Sequence, residues 1–410
     1  MALPRRLPNP FEAQPILRPI EAAKTLPAGE EYEKKMAKAA AHHALREEYE
    51  DLPESELVKR YKPIYVGEGG ENLVFRAAAR KRGKTKLESF EVVIKAEKEA
   101  LADTISYNIE NETDPDFESM RVDEIREGRL KNIQKSFRNL KQVFKGHVLP
   151  QRYFMMKVPV NRAVMDSLDT ISQSQGFTLP AEIPESGWTI VSIQKSAEGM
   201  EDEKRLGVGG ANMEQSLATR LLPGKDPMFR EVYKEVTDNL MNTKLAEKSQ
   251  DQDIEKLIPA LFYGSGVHEL MSRADRDPHL WEVLSDFQKK AVEFSEKDGR
   301  ILDFASKENI IFHRDKKDGH WTYTIIDPFY SFEDNVLERA REALIRWDAG
   351  FPLEHGDYNL ITQAVNFTRV VNALGVKLGT GVYVDFLPAD WKGKNLSQFL
   401  IGRDDAMEAA

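Results

Sequence analysis

Three short stretches of the chain place residue types where chemistry on a phosphorylated ligand would need them. In the first, Gly67-Glu-Gly69-Gly70-Glu-Asn72-Leu-Val74, glycines crowd between two runs of β-forming residues. Glycine lets the backbone turn sharply and approach a phosphate without a Cβ in the way, although an ordinary tight hairpin would use the same glycines. The second is Val92-Val93-Ile94-Lys95, in which strand alternation sends Phe90, Val92 and Ile94 to one side and Val93 and Lys95 to the other. A cation then shares a face with an apolar residue that could roof a flat base. The third combines Leu302-Asp303-Phe304, Asn309 and, beyond a hairpin, Ile325-Ile326-Asp327-Pro328-Phe329. Asn309 and Asp327 both carry side-chain oxygen acceptors. Asp303 is either a general base for a substrate hydroxyl or a carboxylate that caps its own loop.

These residues need elements to hold them. Residues 64–78 and 87–97 read as strands of a hairpin around a basic turn at Gly83. A helix is expected over 122–144, because Val122, Arg129, Ile133, Phe137, Leu140 and Phe144 fall near one face at the helical period. A lysine at a strand end wants an acidic partner from such a helix. Glu127, nearest the apolar edge, is the first choice and Glu124 the second, with a solvated helix face as the alternative for each. Two further strands, VLPQRYFMMKVPV and GWTIVSIQK, follow with a polar, turn-containing connection between them. Beyond Gly199 the chain reads as mainly helical, with expected helices at 228–248, 252–262, 279–297, 333–347 and 357–375. A single β-hairpin interrupts them around NIIFHRDKKDGHWTYTIID. GVGGAN at 207–212 echoes the first glycine motif but has no hairpin signal around it, and reads as a chance echo.

Taken in order, the three stretches resemble the protein-kinase-like phosphotransferases, including the aminoglycoside-phosphotransferase branch. The resemblance spans about residues 64–335. It implies an α+β, two-lobed kinase-like fold: a small antiparallel-sheet lobe with one helix, and a larger, mainly helical lobe. It implies ATP and Mg2+ as ligands, with Gly67, Gly69 and Gly70 covering the phosphates and Val74 and Val93 against the base. Lys95, held by Glu127, would orient the phosphates, Asn309 and Asp327 would hold the metal, and Asp303 would be the catalytic residue. The departures are specific. Gly299-Arg300-Ile301-Leu302 stands where the family has His-Arg or His-Gly, and Asn72 stands at the third glycine. Five residues rather than four separate Asp303 from Asn309, which would put Phe304 at the base position if Asn309 is the anchor. Pro328-Phe329 follows the metal aspartate, and no long activation segment follows that.

Composition narrows the alternatives. A chain of 410 residues with 41% hydrophobic and 31% charged residues can build a sizeable core. The absence of cysteine excludes disulfides, thiolate metal sites and cysteine nucleophiles. A net charge of -10 argues against general nucleic-acid binding, and no apolar run approaches the length of a membrane span. The expected organisation is a Pro-rich arm at 1–29, a helical extension at 30–62, a sheet-rich lobe at 63–198, a helical lobe at 199–350 and a C-terminal helical extension at 351–410. Prolines break the N-terminus before a signal-peptide core could form, so the default location is cytoplasmic. Two functions stand against each other. One is phosphoryl transfer from ATP to an unidentified acceptor. The other is a pseudokinase that binds nucleotide or a protein partner without turnover.

Overall fold

A computed structural model describes residues 64–68, 72–82, 87–110, 116–175, 178–195, 206–207, 240–241, 262, 265–304, 309–315, 318–329, 335–353, 355–387 and 396. The N-terminal arm, the helical extension, Gly69, Gly70, Gly83 and nearly all of the two helices expected across 228–262 lie outside them. The chain divides into two compact units: Met1–Gln134 with Leu149–Met200, and Lys135–Val148 with Glu201–Ala410.

The first unit is built on five antiparallel strands: β1 (Ile64–Glu68), β2 (Asn72–Arg82), β3 (Leu87–Glu97), β4 (Gln151–Pro159) and β5 (Ser186–Lys195). Their order across the sheet is β1-β2-β3-β5-β4. The β1–β2 register slips between Tyr65 and Gly67, so a bulge precedes the glycine motif. Helices α1 (Lys98–Glu110) and α4 (Arg162–Gln175) bracket a run made of α2 (Asp116–Ile125), a π-helical turn at Arg126–Leu130 and α3 (Lys131–Val143), most of which, from Lys135, belongs to the second unit. One helix was expected here, over 122–144. The run covers that span but starts earlier, and α1 and α4 are additional.

Period-two patterning explains which face of the sheet is sealed. Leu73, Phe75, Ile94, Ala96, Phe154, Met156, Val191 and Ile193 point to one side and pack with Leu101, Ala102 and Ile105 of α1 and Val164, Met165 and Leu168 of α4. The approach of α1 is close: a Cβ on Gly187, at the start of β5, would lie 2.6 Å from Leu101 Cδ1. The connection between β4 and β5, expected to be polar and to contain a turn, holds α4, which Asn161 caps, its Oδ1 accepting from the Val164 amide at 3.0 Å.

In the second unit, β7 (Ile310–Arg314) and β8 (Trp321–Ile325) form the expected hairpin, and β6 (Leu206–Gly207) pairs with β7. The glycine string at 207 therefore begins on a strand edge. Helices α5 (Gly266–Ala274), α6 (Pro278–Asp298), α7 (Val336–Asp348) and α8 (His355–Leu378) complete the described part. Asp277 caps α6 through the amides of His279 and Leu280, with Pro278 in the first turn. An aromatic core of Phe144, Phe287, Phe294, Phe312 and Tyr323 lies beneath the hairpin. No helix among the described residues is long and apolar enough to cross a membrane.

Candidate functional site

The face of the first sheet opposite the sealed core carries the residues singled out by sequence. Register places Val74 beside Lys95 and Arg76 beside Val93, and all four are half-buried, whereas Leu73, Phe75 and Ile94 on the reverse face are fully covered. Toward β4 the same face is closed by buried Ser192, Gln194, Tyr153 and Gln151. There Gln134 donates to the Tyr153 carbonyl at 2.9 Å. Lys95 thus lies on the half-open portion, opposite Val74 on β2 and Ser192 on β5 and two residues along from Val93, so a cation and two apolar side chains share this face. Gly67, next to last in β1, is half-buried, and a Cβ there would meet nothing within 4 Å.

The helix expected to hold Lys95 presents different chemistry. Glu127 is exposed and its carboxylate bonds Lys131 one turn on, while Glu124 is bonded by Arg121. The residue that reaches the end of β3 is Arg129. It bonds Glu97, whose side chain is only 3% exposed, and both oxygens of Glu99 at 3.1 Å. Burial works against the Arg129 charge, but Glu97 and Glu99 outweigh it and hold the guanidinium above its ordinary pKa. The sequence signal was present, since Arg129 falls on the apolar face of the helical period. On the sealed side, Lys98 donates to Glu68 at 2.5 Å. That hydrogen bond holds the Glu68 carboxyl below its usual pKa and ties the glycine hairpin to the start of α1.

In the second unit the structure gathers Asp303, Asn309 and Asp327 into one backbone-knit corner. The Asp303 amide donates to the Pro328 carbonyl at 3.1 Å, and Leu302 bridges Phe329. The Asn309 carbonyl accepts from the amides of Ile326 at 2.7 Å and Asp327 at 3.3 Å. The Asn309 side-chain Nδ2 lies 3.4 Å from the Asp303 carbonyl. Phe304 is buried and stacked on Phe367 at 5.4 Å, while Asp303 is half-exposed.

A buried anchor lies behind this corner. Arg300 is fully covered, donates from Nε to Ser136 Oγ at 2.8 Å and sits 5.7 Å from the Phe329 ring centre. Asp298, 3.7 Å from that Nε, accepts from Asn139 at 2.7 Å. Arg300 thus ties the segment before Asp303 to the segment after Asp327, in the place where the resemblance leads one to look for His-Arg.

The corner suits a divalent cation by the chemistry of its donors. With the amide nitrogen of Asn309 turned to Asp303, Oδ1 is the atom left to coordinate, and Asp327 adds a carboxylate. Two protein oxygens, with phosphate and water completing the shell, are what Mg2+ takes. Among the described residues no group of three or more His, Asp or Glu could hold a metal by itself. Comparison with known proteins found no matching family model, no matching curated protein and no matching solved structure.

Proposed function

We propose that the chain is an ATP- and Mg2+-dependent kinase-like phosphotransferase acting on an acceptor hydroxyl. The observation that carries this reading is the corner, where a half-exposed aspartate and two oxygen ligands far apart in sequence are fixed by mutual hydrogen bonds. The antiparallel order β1-β2-β3-β5-β4, with Lys95 between Val74 and Val93 on the half-open face, supports it from the other unit. A two-lobed kinase-like architecture, a cytoplasmic location and the phosphate-covering role of Gly67, Gly69 and Gly70 belong to the same proposal.

The chemistry follows from charge and position. Lys95 orients the α- and β-phosphates, and Val74 and Val93 flank the base. Mg2+, when bound, neutralises charge on the phosphate oxygens, with Asn309 and Asp327 as its ligands. Asp303 accepts the proton of the acceptor hydroxyl as that oxygen bonds to the γ-phosphorus and the bond from phosphorus to the ADP oxygen breaks. Backbone bonds to Pro328 and Asn309 fix the Asp303 main chain, so little ordering remains for the reacting complex.

A pseudokinase that binds nucleotide or a protein partner without turnover is the second reading. It is favoured by Glu127, which is exposed and bonded to Lys131. The test is a thermal-shift titration with ATP and Mg2+ on the wild type, Lys95→Ala and Asp327→Ala. Stabilisation of the wild type that both variants lose supports nucleotide binding, and no shift in the wild type removes the phosphotransferase reading and leaves only a partner-binding pseudokinase. Single-turnover assays with labelled ATP and candidate hydroxyl acceptors then separate enzyme from pseudoenzyme.

A further inference from the structure

We propose that Glu97 and Arg129 are positioning residues for Lys95, forming a clamp in which the acid stands on the strand and the base on the helix. The proposal rests on the nucleotide-binding reading of the Lys95 face. Lys95 and Glu97 are two residues apart on β3, so they share a face and their Cα atoms are roughly 7 Å apart. An aspartate or glutamate as covered as Glu97 needs a bonded partner to remain charged, and Arg129 supplies it.

Arg129 reaches Glu97 because the helical run widens into a π turn over Arg126–Leu130. Such turns are uncommon and concentrate at functional sites. Leu130 and Ile133 are buried beside it, so the turn is seated rather than splayed. The guanidinium is shared between two carboxylates, Glu97 and Glu99, and Glu97 lies on the side of β3 that carries Lys95. A fixed anion two residues from a lysine sets where its ammonium points, as a helix carboxylate would have done. The sequence expectation assigned that work to Glu127, which points to solvent.

The test is ATP·Mg2+ affinity, measured with a fluorescent ATP analogue alongside melting temperature, for Glu97→Gln, Arg129→Gln, Arg129→Lys and the Glu97→Gln/Arg129→Gln pair. A clamp predicts roughly tenfold weaker binding for each Gln variant. It predicts recovery to within about threefold in Arg129→Lys, and a double variant no weaker than either single one. If both Gln variants lower the melting temperature but bind as the wild type does, the pair is only a fold tie and the proposal fails. It also fails if Glu127→Gln weakens binding and Glu97→Gln does not. Absence of binding by the wild type would overturn the nucleotide reading and this proposal with it. Loss in Lys95→Ala alone overturns only the clamp.

Discussion

Gly299 shows how tightly single positions constrain the candidate corner. It ends α6 with φ +79°, and a Cβ there would lie 2.5 Å from Asn335 Oδ1. Asn335 is itself left-handed at φ 54°. Gly299→Ala should therefore cost about 1–3 kcal/mol, combining backbone strain with the collision. A urea melt with an unchanged midpoint would show that the Asn335 side chain moves aside at no cost. Because Gly299 leads directly into Arg300, the same variant should also weaken Mg2+-dependent ATP binding. Asp303 poses the other question at this scale. If it is the base, Asp303→Asn keeps the shape and ATP affinity but lowers single-turnover phosphoryl transfer on the order of a hundredfold or more. If it only caps the loop, asparagine serves equally and turnover survives.

Among the elements, the junction of α3 with the hairpin carries a pH-dependent contribution. His147 follows α3, stacks on Tyr323 with ring centres 4.0 Å apart, and lies 3.1 Å through Nδ1 from the Tyr323 carbonyl. Burial holds its pKa below the ordinary value, so the folded chain keeps it neutral. The unfolded chain takes up a proton near the ordinary value of about 6.5 and the folded chain does not. Stability from this residue is thus complete above that pH and is lost as pH falls toward the depressed folded value. Melting temperatures from pH 8 to 5 should drop for the wild type and drop less for His147→Gln, and equal slopes would assign the effect elsewhere. What was legible at this scale followed periodicity: the strands around Lys95, the hairpin before Asp327, and helices α6, α7 and α8. Helix α1 was missed because β3 passes into it at Lys98 with no glycine, proline or cap between them. Helix α4 is rich in Ser, Thr and Asp, which hides its period, although Asn161 was a readable cap. The Glu127 expectation assumed 3.6 residues per turn, and Glu127 lies inside the π turn, where that spacing does not hold.

At the scale of the whole molecule, the proposed function names residues of both units, Lys95, Val74 and Val93 in one and Asp303, Asn309 and Asp327 in the other. A ligand bound only to the folded form stabilises whatever must stay folded to bind it, by about 2.7 kcal/mol at a hundredfold excess over Kd. Saturating ATP·Mg2+ should therefore raise the unfolding temperature of both units, whether they melt as one transition or as two. Hydrogen exchange read by peptide resolves them: protection should rise in β2 and β3 and also around Asn309 and Asp327. Omitting Mg2+ should remove protection from the second group first, since its two oxygens meet phosphate through the cation. Asp327→Ala should mimic that omission, while Lys95→Ala should reduce protection in the sheet. Protection confined to one unit in the wild type would mean that the other contributes nothing to the ligand. In that event the three sequence stretches would not belong to a single site, and the phosphotransferase reading would fall.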